Sequence, residues 1–507
     1  MSVSSSVATF AGSDCCTIAA WVRTLNAPSY QERTLNEYSN REFERLTANS
    51  GTPLPPRPEL AALSADYSSY QPASGSFGGA FAPPPERPAQ RDGGPRRILL
   101  YGLNFAPEQT GIGKYTGEMA QWLAGAGHEV RVVTTPPYYP DWSVAAGYNA
   151  LRYSTETWNG VRVDRAPLWV PKQPGGKKRL LHLASFAASS LPLLMKSYAW
   201  RPHLVWTVAP ALACAPGAAL FARMSGALSW LHVQDFEVDA AFELGMLRGD
   251  KMRARAGSTE SSLMRAFDRV SSISHRMVAK LEEKGVAAGR RVFFPNWVDT
   301  DAIQPQFTPN AYRQMLGIPE GAFVALYSGT MGAKQGLEVL AEAAHLLAPH
   351  KDIHFLFCGQ GVGRDALQSA CADLQNVHWL PLQPAERLAE LLNIADLHLL
   401  PQQRVSSGLM LPSKLTGMLA SGRPVVATAE PDTELASWVD GCGRLVSPGD
   451  GAALADAVML MSKNPAYCRH LGEQARHRAV KHLSRDAVLT GFHGQLESAL
   501  AGRVQLN

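Results

Sequence analysis

Residues 406–428, SSGLMLPSKLTGMLASGRPVVAT, place a hydroxyl and a cation, Ser413 and Lys414, where a helix should begin. Pro412 suits the first turn of that helix, because its missing N–H costs nothing there, and Gly422 suits the position just past the end. Unsatisfied N–H groups and a positive dipole end, with Lys414 beside them, could hold an anion such as a phosphate. An ordinary capped helix with a solvated lysine is the plainer alternative. Glycine-rich stretches offer related chemistry at Gly111-Ile112-Gly113-Lys114, at Ser328-Gly329-Thr330-Met331-Gly332-Ala333-Lys334-Gln335-Gly336 and at Gly359-Gln360-Gly361, since glycine lets backbone come close to a ligand. Leu231-His232-Val233-Gln234-Asp235 adds an imidazole and a carboxylate, the residue types of proton transfer and hydrogen-bonded positioning. Pro136-Pro137-Tyr138-Tyr139-Pro140-Asp141-Trp142 is an aromatic, proline-stiffened loop of the kind that contacts a sugar ring or a lipid.

Each of these groups sits at a joint between a short apolar run and a helical pattern. Arg97 to Tyr101 reads as a buried strand, Gly102 to Tyr115 as a loop, Tyr115 to Ala126 as a helix ended by Gly127, and Glu129 to Thr134 as the next strand, which starts a Rossmann-like layer. A dinucleotide fingerprint needs G-x-G-x-x-G, but Gly117 comes one residue late. The ribose-binding acid is also missing, because Thr134 leads into Thr135 and Pro136. Alternation continues through Leu204–Val208, Ala227–His232, Val270–Ser272 and Val292–Phe294, so His232 and Asp235 fall at the carboxyl end of a strand, facing the ligand crevice of a doubly wound sheet. After a junction at Phe294-Pro295-Asn296-Trp297-Val298-Asp299, a second series follows: a helix from Tyr312, strands at Val324–Tyr327, Ile353–Cys358, Asp396–Leu400 and Pro424–Thr428, and long helices over 464–482 and 486–500. Asp299-Thr300-Asp301 reads as turn and cap chemistry, not as a metal site.

The whole chain bounds these readings. At 507 residues it exceeds one core and suggests two domains with appendages. Apolar content of 46%, charged content of 18% and a net charge of +4 describe a globular protein, with no case for nucleic acid. Seven cysteines at scattered positions, without C-x-x-C, point to reduced thiols in a cytoplasmic compartment. Residues 51–95 hold 10 Pro, 6 Gly and 5 Ser, so 1–95 is expected to be a disordered extension, with a short helix near Thr17 to Leu25. No signal peptide is expected at the start, and prolines 210 and 216 divide the uncharged stretch Leu204–Ala222 into strand, loop and helix. Leu180–Met195 reads as one amphipathic helix, with His182, Ser185, Ser189 and Lys196 on one face and Leu180, Leu183, Ala187 and Leu194 on the other. Lys177-Lys178-Arg179 precedes it, so it either lies in a lipid interface or packs under a loop.

Seven stretches in order, LLYGLNFAPEQTGIGKYTGEMAQWLAGAGHEV, PPYYPDW, LHVQDFEVDAA, PNWVD, YSGTMGAKQGLEVL, PSKLTGMLASGRPVVATA and TELA, resemble the retaining nucleotide-sugar glycosyltransferases of the GT-B fold, in particular bacterial exopolysaccharide enzymes of the colanic-acid type. The resemblance covers residues 96–500. It implies an α/β fold of two Rossmann-like domains facing across a cleft: an acceptor domain over 96–300, a donor domain over 301–484 and a terminal helix over 485–507 that returns to the first. It further implies that Gly111, Gly113, Gly329, Thr330, Lys334, Gln335, Gly336, Gly359, Pro412, Ser413, Lys414, Leu415 and Glu434 serve the donor, while Lys114, Tyr138, Tyr139 and Trp142 serve the acceptor. His232, Asp235 and Lys414 would take part in chemistry, the first at the transferred sugar and Lys414 on the leaving diphosphate. No cofactor or metal is implied. The partners expected are a nucleoside diphosphate sugar, a polyprenyl-pyrophosphate-linked saccharide and the inner face of a bacterial plasma membrane. Two departures stand out. The glutamates of the family's E-x7-E pattern align with Leu409 and Gly417, and its Arg and Lys pair aligns with Thr330 and Gln335. An epimerase of the same fold, a nicotinamide oxidoreductase and a non-catalytic sugar-nucleotide binder remain as alternatives.

Overall fold

The computed structural model describes residues 94–504, except 173–175, 211, 244–248, 307–309, 333–334 and 405–410. The extension expected over 1–95 lies outside the described residues but for its last two positions, as does the helix expected near Thr17. In the first unit the elements run β1 (Arg97–Tyr101), α1 (Gly111–Gly125), β2 (Glu129–Thr134), β3 (Ser154–Trp158), β4 (Val161–Arg165), α2 (Gly176–Ser189), α3 (Leu191–Tyr198), β5 (Leu204–Ala209), α4 (Ala215–Ser225), β6 (Leu228–Val233), α5 (Glu237–Glu243), α6 (Asp250–Arg265), β7 (Arg269–Ser272), α7 (His275–Glu283) and β8 (Arg291–Phe293). The second continues with α8 (Ala311–Leu316), β9 (Phe323–Ser328), α9 (Glu338–Leu347), β10 (Ile353–Cys358), α10 (Arg364–Ala370), β11 (Val377–Leu380), α11 (Leu388–Asn393), β12 (Leu397–Leu400), α12 (Lys414–Ala420), β13 (Val425–Thr428), α13 (Glu434–Val439), β14 (Gly443–Val446), α14 (Gly451–Ser462), α15 (Pro465–His482) and α16 (Arg485–Val504).

Two sheets result, one of order β3-β4-β2-β1-β5-β6-β7-β8 and one of order β11-β10-β9-β12-β13-β14. All neighbours are parallel except the β3–β4 hairpin. Both faces of a parallel sheet are covered, which explains why the strands are continuous apolar runs rather than alternating ones. Along β1, Leu99 and Tyr101 enter the core under α2 to α4, while Ile98 and Leu100 enter the core on the opposite face. The chain leaves β1 toward β2 and returns on its other side at β5. In the second sheet it leaves β9 toward β10 and returns at β12. These reversals open a crevice at the carboxyl ends of β1/β5 and β9/β12, where ligands bind in open α/β sheets.

α16 returns to the first unit and closes its outer face. Phe492 sits 5.1 Å from the ring centres of both Trp206 and Trp230, and 4.8 Å from that of Phe294. Burying such a ring contributes about 2 kcal/mol. Trp122 Nε1 donates to Asp486, and Arg96 pairs with Glu497 at 2.6 Å. The chain crosses between the units twice, and the crossings are tied together by Val298 N–H to Leu483 O and Arg485 N–H to Val298 O.

Three expected elements differ. α1 begins at Gly111 rather than Tyr115, so Gly111-Ile112-Gly113-Lys114 is helix and not loop. The glycines there serve close packing: a Cβ on Gly113 would sit 2.6 Å from Glu108, and one on Gly117 2.9 Å from Ala106. α12 begins at Lys414, after a turn in which Pro412 O accepts the N–H of Leu415, so Pro412 and Ser413 precede the helix. The single helix expected over 180–195 is two, α2 and α3, parted at Ser190, and His182, Ser185 and Ser189 of its polar face point inward while Lys196 is exposed. His182 bonds to Trp169 O, Ser185 Oγ accepts the Trp169 N–H and Ser189 Oγ donates to Pro167 O, while Leu194 is buried.

Candidate active site

The loops after β9 and β10 and the start of α12 form one wall of the crevice. Gly329 (φ +129°) and Gly359 (φ +152°) hold backbone conformations that favour glycine. The loops also pack main chain to main chain. Gly329 N–H donates to Cys358 O, Met331 N–H to Gln360 O and Gly363 N–H to Met331 O, and a Cβ on Gly359 would overlap Gly329 O. Lys414 crosses this floor, its Cδ 3.4 Å from where a Gly329 Cβ would stand and its Nζ 4.2 Å from the Tyr327 ring centre. Its Nζ is shut off from solvent and meets no hydrogen-bond acceptor among the described residues. Burial pushes its pKa down to about 8. An ammonium so placed could form an ion pair with an anion entering beside the glycine loops.

The remaining donor-side residues divide. Thr330 is exposed beside Lys414's floor, with its carbonyl fixed by the Tyr327 hydroxyl at 2.6 Å. Gln335 Oε1 accepts the Gly332 N–H, which folds the loop on itself, and Gly336 (φ +61°) lies against the backbone of Gln402 and Gln403. Ser413 is exposed at the helix entrance and makes no side-chain cap. Leu415 does not fit the donor role. Its side chain is fully buried in the core around Met418 and Trp438, and its N–H is used by Pro412. Glu434 does not fit either: its carboxylate accepts N–H bonds from His275 and Arg276 at 3.0 Å each, across the cleft, at the first turn of α7. With Ser274 accepting from Met277, three of the four unpaired N–H groups of α7 are thereby satisfied. Gly417, aligned with a family glutamate, faces Leu392, which a Cβ there would meet at 3.3 Å. Lys334 and Leu409 lie outside the described residues.

On the first unit, a pocket at the carboxyl ends of β1 and β5 is lined by Gly102, Asn104, Ile112, Thr116, Trp206 and Pro210. Glu108, which sequence reasoning did not single out, organises its rim. This buried carboxyl group accepts the N–H groups of Tyr138 and Tyr139 at 3.0 Å and a bond from Asn104 Nδ2 at 2.9 Å, and burial raises its pKa. Glu108 thus locks the aromatic loop to the start of α1. Tyr139 remains exposed and Gly111 lies beneath its ring, but Tyr138 is buried against Trp142 and His182, so its ring is support rather than contact surface. Trp142 is half-buried, and Lys114 is open to solvent beside Glu118.

His232 stands behind this pocket wall, stacked on Trp206 at 5.3 Å and only 4% exposed. Burial drives its pKa down to about 3, so it is neutral. With the Gln234 amide donating to Nε2 at 3.1 Å, the ring proton is on Nδ1 and bonds to Ser271 Oγ at 2.9 Å. Gln234 pairs reciprocally with Asn296, which joins the LHVQD and PNWVD stretches and was not anticipated from either. His232 is therefore a neutral ring with both nitrogens hydrogen-bonded inside the fold. Asp235 is half-buried two residues beyond β6.

Among the described residues one cluster has metal-like geometry, His128, His493 and Glu497. It lies at the amino end of β2, on the far side of the sheet from the crevice. Arg96 N–H donates to His128 Nδ1, which leaves the ring proton on Nε2 facing His493 Nε2 at 2.8 Å, and Arg96 holds Glu497. These groups satisfy one another. Asp299 Oδ1 caps the N–H groups of Asp301 and Ala302, and Oδ2 pairs with Arg485.

Comparison with known proteins agrees with this architecture. Residues 110–297 match the glycosyl transferase 4-like domain and residues 310–478 the glycosyl transferases group 1 domain. The colanic acid biosynthesis glycosyl transferase WcaI of Escherichia coli is 44% identical over 391 residues, covering 75% of this chain and 96% of WcaI. Among solved structures, sucrose-phosphate synthase from Thermosynechococcus elongatus superposes with a TM-score of 0.63 at 18% identity, covering 80% of this chain and all of that one. Anabaena HepE in complex with UDP-glucose superposes with a TM-score of 0.56 at 15% identity, over 80% of this chain and 100% of its own. At those identities the likeness is one of fold. With both domain families matched in order and a relative aligned over nearly its whole length, the chain belongs to the glycosyltransferases of the GT-B fold.

Proposed function

We propose that this glycosyltransferase moves a hexosyl or deoxyhexosyl group from a nucleoside diphosphate sugar to a lipid-linked saccharide during exopolysaccharide assembly, with retention of anomeric configuration. The observation that carries the reading is Lys414, a solvent-excluded cation that meets no acceptor among the described residues and is set against the glycine loops at the switch point of the second sheet. HepE, of the same fold, has been solved with UDP and with UDP-glucose, and the relative from Escherichia coli is named for colanic acid biosynthesis.

The bond between the anomeric carbon and the diphosphate oxygen breaks as the acceptor hydroxyl approaches from the same face, and the hydroxyl proton passes to a leaving phosphate oxygen. Negative charge grows on the diphosphate as this happens. Lys414 offsets it where water is excluded, an interaction that strengthens toward the transition state. Neutral His232, fixed by Ser271 and Gln234, backs the Trp206 ring that lines the pocket and supports the site from behind without exchanging protons. Tyr139, Trp142 and Lys114 border the acceptor side. No step calls for a metal. Incubation with UDP-, GDP- and dTDP-sugars, with melting temperature and product anomer as readouts, tests the reading. One donor family should stabilise the protein and yield a retained linkage. Donor isomerisation without acceptor, or stabilisation by NAD alone, would replace the proposal.

A further inference from the structure

α2 and α3 bury Phe186, Leu193 and Leu194 in the core and yet keep a second apolar stripe on the outside. Their polar residues bond to the 167–169 backbone, while Leu181, Ala184, Ala188, Leu191, Met195 and Tyr198 point to solvent at steps of three and four residues. That spacing makes one continuous stripe across both helices. Leu181, Leu191 and Met195 are 57%, 51% and 53% exposed. The stripe widens through exposed Trp169, whose N–H donates to Ser185 Oγ, and Tyr153, whose hydroxyl donates to Ser189 O, and neighbouring α4 adds exposed Leu220 and Met224. Most of the exposed large apolar side chains among the described residues fall between Leu151 and Met224. A patch of this kind marks a surface with a partner.

The chain segment that builds it is basic. No Asp or Glu occurs between Asp164 and Asp235, whereas Lys172, Lys178, Arg179, Lys196 and Arg201 are all exposed. We propose that this face, and not the Leu183/Leu194 face suggested by the sequence pattern, docks the enzyme on an anionic lipid surface. Apolar side chains enter the headgroup boundary, and the cations meet lipid phosphates. No helix among the described residues is long and apolar enough to cross a membrane, so docking is interfacial. The inner side of α2 carries His182, which packs 4.8 Å from Tyr138 and 5.2 Å from Trp142. One layer of helix therefore separates lipid from the acceptor loop. Only this last link rests on the proposed function, because lipid binding is read without turnover.

Co-sedimentation of the full chain with phosphatidylcholine vesicles, with and without phosphatidylglycerol, tests the assignment. The wild type should partition onto anionic vesicles, less so as salt rises. The triple variant Leu181→Glu, Leu191→Glu and Met195→Glu should lose at least about tenfold in partitioning, at an unchanged melting temperature. Lys178→Ala with Arg179→Ala should lose about fivefold per cation on anionic vesicles alone. Leu388→Glu, an exposed apolar site on the second unit, is the control and should bind as wild type. Absence of vesicle binding by the wild type, or full binding by the triple variant, overturns the proposal. A wild-type dimer that the triple variant splits, without lipid binding, assigns the face to a second copy and equally overturns it. Loss of transfer to a water-soluble acceptor in wild type, with vesicle binding intact, would count against the catalytic reading alone.

Discussion

Lys414→Met keeps a flexible aliphatic stem over Tyr327 and removes the ammonium. Burial lowers this lysine from its ordinary 10.5 to about 8, a gap worth about 3 kcal/mol against the charged form. Relaxation of the surroundings and water entry soften such a penalty in a folded protein, so about half of that, roughly 1.5 kcal/mol, is the expected gain on substitution. For a domain of this size that corresponds to a rise in melting temperature of about 3–6 °C at pH 7. The sign follows from proton counting. Between pH 8 and 10.5 the unfolded chain holds a proton that the folded chain does not, so wild-type stability climbs through that window and the variant's advantage fades by pH 10.5. Turnover should move the opposite way and fall by about 10²–10³. Calorimetric melting across pH, beside initial rates with the donor identified by screening, measures both. A variant that is less stable at pH 7 and turns over normally would refute the ion-pair argument.

Glu434→Ala strips two acceptors from the first turn of α7 and should cost about 1–3 kcal/mol, with a larger radius of gyration in solution scattering as the units lose their clasp. Gly359→Ala places a methyl group on Gly329 O, and should cost at least about 3 kcal/mol, read as loss of soluble protein or a melting temperature lowered by several degrees. His232→Gln should reduce turnover without altering the pH profile between 5 and 8, because the histidine stays neutral throughout that range. Disappearance of a titration limb in that variant would restore a proton-transfer role. Glu108→Ala should free the Tyr138–Tyr139 loop and raise the acceptor KM more than it lowers kcat.

Much of the scaffold was legible because a parallel sheet demands apolar β-branched runs, and Val425–Thr428, Ile353–Cys358 and Glu129–Thr134 have no competing pattern. Helix starts were less so. Gly113 looks like a loop residue until the Glu108 side chain it accommodates is in place, and Gly111 holds a positive φ at the helix start. The resemblance assigns Glu434 to the donor, but its partners, the N–H groups of His275 and Arg276, are far away in the chain and leave no local trace. The same holds for α2, where serine and histidine seemed to mark the wet face. Their partners are backbone groups at Pro167 and Trp169, so His182 and Ser189 turn inward together with the fully buried Phe186. Lys414 was legible as a cation but not as a buried one, since its burial depends on the Gly329 and Gly359 loops meeting above it.

Calorimetric titration of the enzyme with UDP, GDP and dTDP at pH 8.5, in two buffers of different ionisation enthalpy, reports directly on whether a diphosphate completes the Lys414 pair. One nucleotide should bind and draw up to about 0.8 proton from solution as the lysine regains its charge, and Lys414→Met should abolish that uptake. Binding with no proton uptake, or uptake that persists in the variant, would contradict the account.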